Sequence, residues 1–187
     1  MGILREFPQK ALVLLQAAAR LDFRDSLLLL GMKYDNGDGV PKDSKKALEF
    51  YQRAADLDDP NALMFMAVNH RDGCRGIRKD EKKAFEMFNR VADLGCPDGV
   101  FEVGVHYMHG YYVSKDMKKA AEFFALAARM GHAGAINGLG YLYMIGEGVP
   151  KDLQKAGDLF ERAVSLGYEG ALDNLRVLVS ILKKSKR

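Results

Sequence analysis

The chain repeats itself every 36 or 37 residues, and a repeat of that length confines it to a stack of similar supersecondary units rather than one central core. Aspartate recurs at Asp43, Asp80, Asp116 and Asp152, and each is followed at a fixed offset by Ala47, Ala84, Ala120 or Ala156. An aromatic then stands four residues on, at Tyr51, Phe88, Phe124 and Phe160, and a small residue three beyond that, at Ala54, Val91, Ala127 and Ala163. Spacings of four and three lay these side chains along one face of a helix, a large knob flanked by small neighbours.

A second helical pattern alternates with the first. Its apolar face reads Leu27, Leu30, Gly31, Tyr34, then Leu63, Met66, Ala67, His70, then Val100, Val103, Gly104, Tyr107, then Ile136, Leu139, Gly140, Tyr143. Glycine inside a helix costs about 1 kcal/mol, so a column holding only Gly or Ala predicts the close approach of another helix backbone. Between the two patterns lie Gly37-Asp38-Gly39-Val40-Pro41 and its near-copy Gly146-Glu147-Gly148-Val149-Pro150. No Gly-Lys-Ser/Thr follows them, so they read as helix stops and turns rather than a phosphate cradle. The repeated Asp is placed to cap the next helix, and Phe7-Pro8 stands in its place before the first.

This layout predicts an all-α chain of about ten helices forming a single domain over 1–187: an unpaired helix at 8–21, repeats at about 25–60, 61–97, 98–133 and 134–169, a closing helix at 170–183 and a basic tail at 184–187. In the closing helix Arg176 replaces the Gly/Ala, which is tolerable only where nothing stacks against it. The formal net charge is +3 and the tail carries Lys184, Lys186 and Arg187 beside Lys183, leaving the body near neutral. Glu6 stands where a Met1-Gly2 myristoylation signal needs Ser or Thr. The apolar run Ala11–Ala19 is in register with the repeat, Leu15 falling under Tyr51, so it reads as structure rather than as a secretion signal. Cys74 and Cys96 flank one helix that spans roughly 20 Å, too far for a bridge, and two free thiols fit a cytoplasmic protein. Whether the chain is complete or part of a longer array stays open.

The stretches Leu139-Gly140-x-x-Tyr143-x-x-Gly146-x-Gly148-Val149-Pro150-Lys151-Asp152 and Lys155-Ala156-x-x-x-Phe160-x-x-Ala163 resemble the Sel1-like repeat family, a longer-looped relative of the tetratricopeptide repeat. The second copy departs most, with Gly73-Cys74-Arg75-Gly76 lengthening its loop and His70 in the aromatic column. The resemblance implies a right-handed α/α solenoid whose first helices line a concave groove that holds other proteins. Cysteine-rich members carry a disulfide in each repeat; this chain lacks those cysteines.

No catalytic constellation emerges. His70, His106, His109 and His132 are scattered, and although His106 and His109 are spaced to meet one metal ion, no Cys or carboxylate in phase completes a site, so no metal, cofactor or enzymatic activity is expected. A more informative stripe flanks the core face of the first helices: Leu28, Met32, Asp35; Met64, Val68, Arg71; Phe101, Val105, Met108; Asn137, Tyr141, Met144. All but Asp35, Arg71 and Asn137 are apolar or aromatic, where a solvated face is mostly polar. Two readings stand: a tight superhelix buries the stripe, or it is an exposed Met-rich groove that receives an apolar or helical protein segment. The Lys and Asn of a carboxylate clamp are absent from it, basic residues are too few for nucleic acid, and no stretch is long enough to span a membrane. The expected function is a non-enzymatic adaptor or scaffold. The alternatives are a homo-oligomerising module, since Leu12, Val13, Leu14, Leu15, Ala17, Ala18 and Leu21 make the first helix apolar nearly all round, and an immunity-type inhibitor of an enzyme.

Overall fold

A computed structural model describes residues 3–185, with side chains from Lys10 to Lys184; the myristoylation reading at Met1-Gly2 and the tail residues Lys186 and Arg187 lie outside the described residues. Ten helices are described: α1 (Ile3–Arg20), α2 (Arg24–Asn36), α3 (Ser44–Asp56), α4 (Pro60–Asp72), α5 (Glu81–Asp93), α6 (Pro97–His109), α7 (Met117–Arg129), α8 (Ala133–Ile145), α9 (Leu153–Ser165) and α10 (Ala171–Ser185). No strand occurs among the described residues. The chain divides into two compact units, one ending at Val91 and one starting at Ala92. In the first, α1 packs on α2, α2 on α3 and α3 on α4; in the second, α6 packs on α7, α7 on α8, α8 on α9, and α10 on both α9 and α8.

The first helix departs from its expected start. It begins at Ile3, so Pro8 lies inside α1 rather than at its opening. With only one turn before it, the proline nitrogen, which carries no hydrogen, costs the helix a single i to i−4 backbone bond.

Each loop is closed by the same aspartate twice over. Its side chain accepts the amide of Lys46 (3.0 Å, from Asp43), Lys83 (2.9 Å, Asp80), Lys119 (3.0 Å, Asp116) or Lys155 (2.9 Å, Asp152), satisfying donors that the first helical turn leaves free. Its own amide donates back to the carbonyl of Tyr34, His70, Tyr107 or Tyr143, at 2.8 to 2.9 Å. The same lysines lie over the tyrosines of that column, at 5.4 Å for Lys46 and Tyr34, 5.0 Å for Lys119 and Tyr107, and 4.2 Å for Lys155 and Tyr143.

The Gly/Ala column is tight for a different reason than a neighbouring backbone. A Cβ on Gly31 would stand 2.9 Å from the Tyr51 ring, on Gly104 2.8 Å from Phe124, and on Gly140 2.8 Å from Phe160. The glycine is the socket for the aromatic knob of its own partner helix, and those knobs are buried. In α10, where Arg176 takes the socket position, its side chain is 77% exposed and bonds Asp173 at 2.6 Å, so no knob enters there.

Candidate functional site

The expected stripe lies on the first-type helices, α2 and α4 in the first unit and α6 and α8 in the second. In the first unit Met32 is 45% exposed, and Leu28, Met64 and Val68 are half-buried. Leu29, outside the expected stripe, is as open as Met32, at 44%. Leu27 to Leu30 are all leucine, so hydropathy alone does not fix which one faces out. The polar members are engaged by neighbours. Asp35 pairs with Arg75, whose guanidinium lies 5.1 Å over the Phe65 ring, and that ring packs 4.0 Å from Tyr51. Arg71 donates to Asp72 at 2.9 Å, a bond that holds the Asp72 carboxyl below the usual carboxylate range, and its other face lies 6.0 Å over Phe88.

In the second unit Tyr141 is 39% exposed, while Val105 and Met108 lie half-buried against the cluster built on Phe124, Leu139 and Leu142. Phe101 stacks on His132 at 4.4 Å and on Phe124 at 5.6 Å. His132 stands immediately before α8 and opens that helix. Its Nδ1 accepts the Ala135 amide at 2.9 Å to cap α8, which places the ring proton on Nε2, 3.2 Å from an Asp98 carboxylate oxygen. Asn137 accepts from Asn174 at 2.7 Å and is committed to the contact between α8 and α10. Met144 does not belong to the surface. It is 4% exposed, in a core cluster with Phe160 and Leu178, because α10 packs across that end of α8.

The remaining titratable residues do not converge. His106 is fully buried, with Nδ1 2.9 Å from the Glu102 carbonyl and its ring edge-on to Tyr111 at 5.8 Å, whereas His109 is exposed and stacks on the same Tyr111 ring at 5.1 Å, so the two imidazoles differ in exposure and pack against an aromatic ring. Among the described residues no group of His, Cys, Asp or Glu is placed to hold a metal ion, and Cys74 and Cys96 are free thiols. No described helix is long and apolar enough to cross a membrane. What the first-helix faces offer is apolar contact area, open at Leu29, Met32 and Tyr141.

The Sel1 repeat pattern matches residues 2–23, 24–59, 60–96, 97–132 and 133–168. The chain belongs to the Sel1 repeat family, whose members are α/α-solenoid proteins that generally mediate protein–protein interaction and are typically not enzymes. Among solved structures it is similar to a Sel1 repeat protein from Oxalobacter formigenes, at 27% identity over 88% of this chain and 65% of that one, with a TM-score of 0.81. A protective antigen of uropathogenic Escherichia coli displaying an SLR fold is 28% identical over 86% of this chain and 34% of that one, with a TM-score of 0.78. An immunity protein from Pseudomonas aeruginosa is 27% identical over 87% of this chain and 60% of that one, with a TM-score of 0.55. The chain thus spans less than two thirds of the length of each. No curated protein sequence matches it.

Proposed function

We propose that this chain is a non-enzymatic adaptor that binds a segment of another protein on the outward faces of its first-type helices, through Leu28, Met32, Met64 and Val68 in the first unit and Phe101, Val105, Met108 and Tyr141 in the second. Asp35, Arg71 and Asn137 then act as supports of that surface, since each already bonds a neighbour. The observation that carries the reading is the exposure of Met32 at 45% and Tyr141 at 39% on faces where a solvated helix places polar residues. Residues 1–187 act in this proposal as one repeat domain, and the free Cys74 and Cys96 suit the cytoplasm.

The test is affinity capture on the full chain, identification of what is captured, and titration of that partner against Met32→Lys and Tyr141→Asp. Loss of a central anchor costs about 2 kcal/mol, roughly thirtyfold in affinity. Lys118→Glu, an exposed position on α7, serves as the control. Variants that stay folded and bind with unchanged affinity would overturn the assignment.

Two other readings each have an observation behind them. Val13, Leu14 and Leu21 of the α1 region are 63%, 71% and 74% exposed, which favours self-association; sedimentation of the full chain as a monomer removes that reading. The likeness to an immunity protein favours an inhibitor that occupies an enzyme, and an enzyme among the captured proteins whose activity falls on binding is its signature.

A further inference from the structure

Between α1, α2 and the loop after α2 lies a cavity of about 210 Å³ lined by Ala11, Leu12, Leu15, Leu29 and Gly39, with the Lys33–Asp38 ion pair, 2.8 Å, beside it. The repeat supplies its own comparison, because each lining residue has a counterpart 36 positions on. Leu15 corresponds to Tyr51 and Leu29 to Phe65, and in that second junction the two rings pack with centroids 4.0 Å apart. Gly39 corresponds to Arg75, whose guanidinium lies 5.1 Å over the Phe65 ring. One junction holds an aromatic pair under a cationic cover. The other has two leucines and a glycine in those positions, and the volume the rings and the cover would take is the cavity.

An apolar cavity of about 150 Å³ is enough to accept a benzene ring. We propose that the α1–α2 cavity is a socket for one aromatic side chain, Phe or Tyr, carried on a segment of a partner protein. The inserted ring takes the place that Phe65 fills in the next repeat, against Leu15 and Leu29. Lys33, whose ammonium is held at the mouth by Asp38, takes the part that Arg75 plays over Phe65. Since Leu29 is also on the open face of α2, a segment lying on that face has the socket within its path. The inference rests on the protein-binding reading and adds to it the chemistry of one anchor.

The test titrates the full chain with N-acetyl-phenylalaninamide and, separately, N-acetyl-leucinamide, followed by amide NMR. The expected result is saturable shifts at Leu29, Lys33 and Gly39, with the aromatic probe bound about fivefold more tightly than the aliphatic one, because the ring buries more apolar area against Leu15 and Leu29 and offers its face to the Lys33 ammonium. Leu29→Phe, which installs the ring found at Phe65, should abolish the shifts while helicity by circular dichroism is kept. Should that variant fail to fold, Gly39→Arg replaces it: it copies Arg75, which already adopts φ +56° at this repeat position, and it should cover the mouth. Equal affinity for the two probes, absence of saturable shifts at these residues, or shifts unchanged in the folded variants would overturn the proposal. Tyr141→Asp, the variant that tests the helix faces, lies in the other unit and leaves this titration unaltered, so failure of one reading is separable from failure of the other.

Discussion

In the first unit each second-type helix is left through an aspartate in the left-handed conformation, Asp22 (φ 56°) and Asp58 (φ 57°), and an arginine of the next such helix reaches back to it. Arg53 donates to Asp22 and to the Ala19 carbonyl, both at 2.6 Å; Arg90 donates to Asp58 at 2.6 Å and to the Ala55 carbonyl at 3.0 Å. In the second unit the same corner is turned by Gly95, Gly131 and Gly167, with φ from 78° to 90°. The arginine column there reads Leu126 and Arg162, and neither Gly95 nor Gly131 offers a carboxylate to meet it. A non-glycine residue held at positive φ costs about 1–2 kcal/mol. The aspartate offsets that strain by anchoring an arginine against the carbonyls at a helix C-terminus, where positive charge is favoured. One half buys its corners with a charged clasp and the other avoids the strain altogether.

What both halves share sets the scale for that difference. The ring-on-glycine socket occurs in each, so Gly31→Leu, Gly104→Leu and Gly140→Leu should all destabilise by about 2–3 kcal/mol through overpacking against Tyr51, Phe124 and Phe160. Arg176→Leu, at the same column but with no ring to meet, should change stability by less than about 0.5 kcal/mol. Denaturant unfolding of the four variants measures this. A mild Gly31→Leu beside severe Gly104→Leu and Gly140→Leu would show that the halves differ in their cores as well as at their corners.

The corner contrast itself predicts a smaller effect and a specific non-additivity. Arg90→Leu should cost about 1 kcal/mol, the value of a charge-assisted bond discounted for a pair whose side chains are 43% and 55% exposed. In an Asp58→Gly background, which copies the Gly95 and Leu126 pairing, the same change should cost close to nothing. Arg162→Leu should likewise be near neutral. A double-mutant cycle gives the coupling, and additive costs for Asp58→Gly and Arg90→Leu would remove the clasp as the reason for the difference.

The columns were legible in the sequence because stacking imposes one packing problem four times over, so Ala47, Tyr51 and Ala54 can be read against Ala84, Phe88 and Val91. What fills a column was less so. The spacing marks Gly104 as a close approach, but whether backbone or ring approaches depends on the tilt between helices, which carries no one-dimensional trace. Met144 was misread for a related reason: its column is half-buried at Arg71 and Met108, and α10 buries it by packing on α8. Leu29 was missed because a run of four leucines leaves the helix phase undetermined. His132 gives a partial signal, since it follows Gly131 where Asp59 stands in the first repeat, and both cap the helix they precede.

The smallest expected effect isolates the one repeat that breaks the Lys–Tyr pairing. His70 stands in the tyrosine column, 8% exposed, and burial pushes its pKa below the ordinary histidine value, with the positive charge of Lys83 acting in the same direction. The folded chain therefore resists protonation at His70 that the unfolded chain accepts near its ordinary pKa of about 6.5. As pH falls through that value the unfolded state binds more protons, so the stability His70 allows at pH 7.5 declines toward pH 5.5 and levels off below the folded pKa. His70→Tyr removes this group and restores the ring over which Lys46, Lys119 and Lys155 lie in the other repeats. Thermal unfolding at pH 7.5 and 5.5 should then show a smaller loss of Tm on acidification for His70→Tyr than for the parent, since the other histidines contribute equally to both. An identical pH dependence in the two proteins would mean that His70 is protonated as readily folded as unfolded, and that the second repeat tolerates its histidine beside Lys83 without electrostatic consequence.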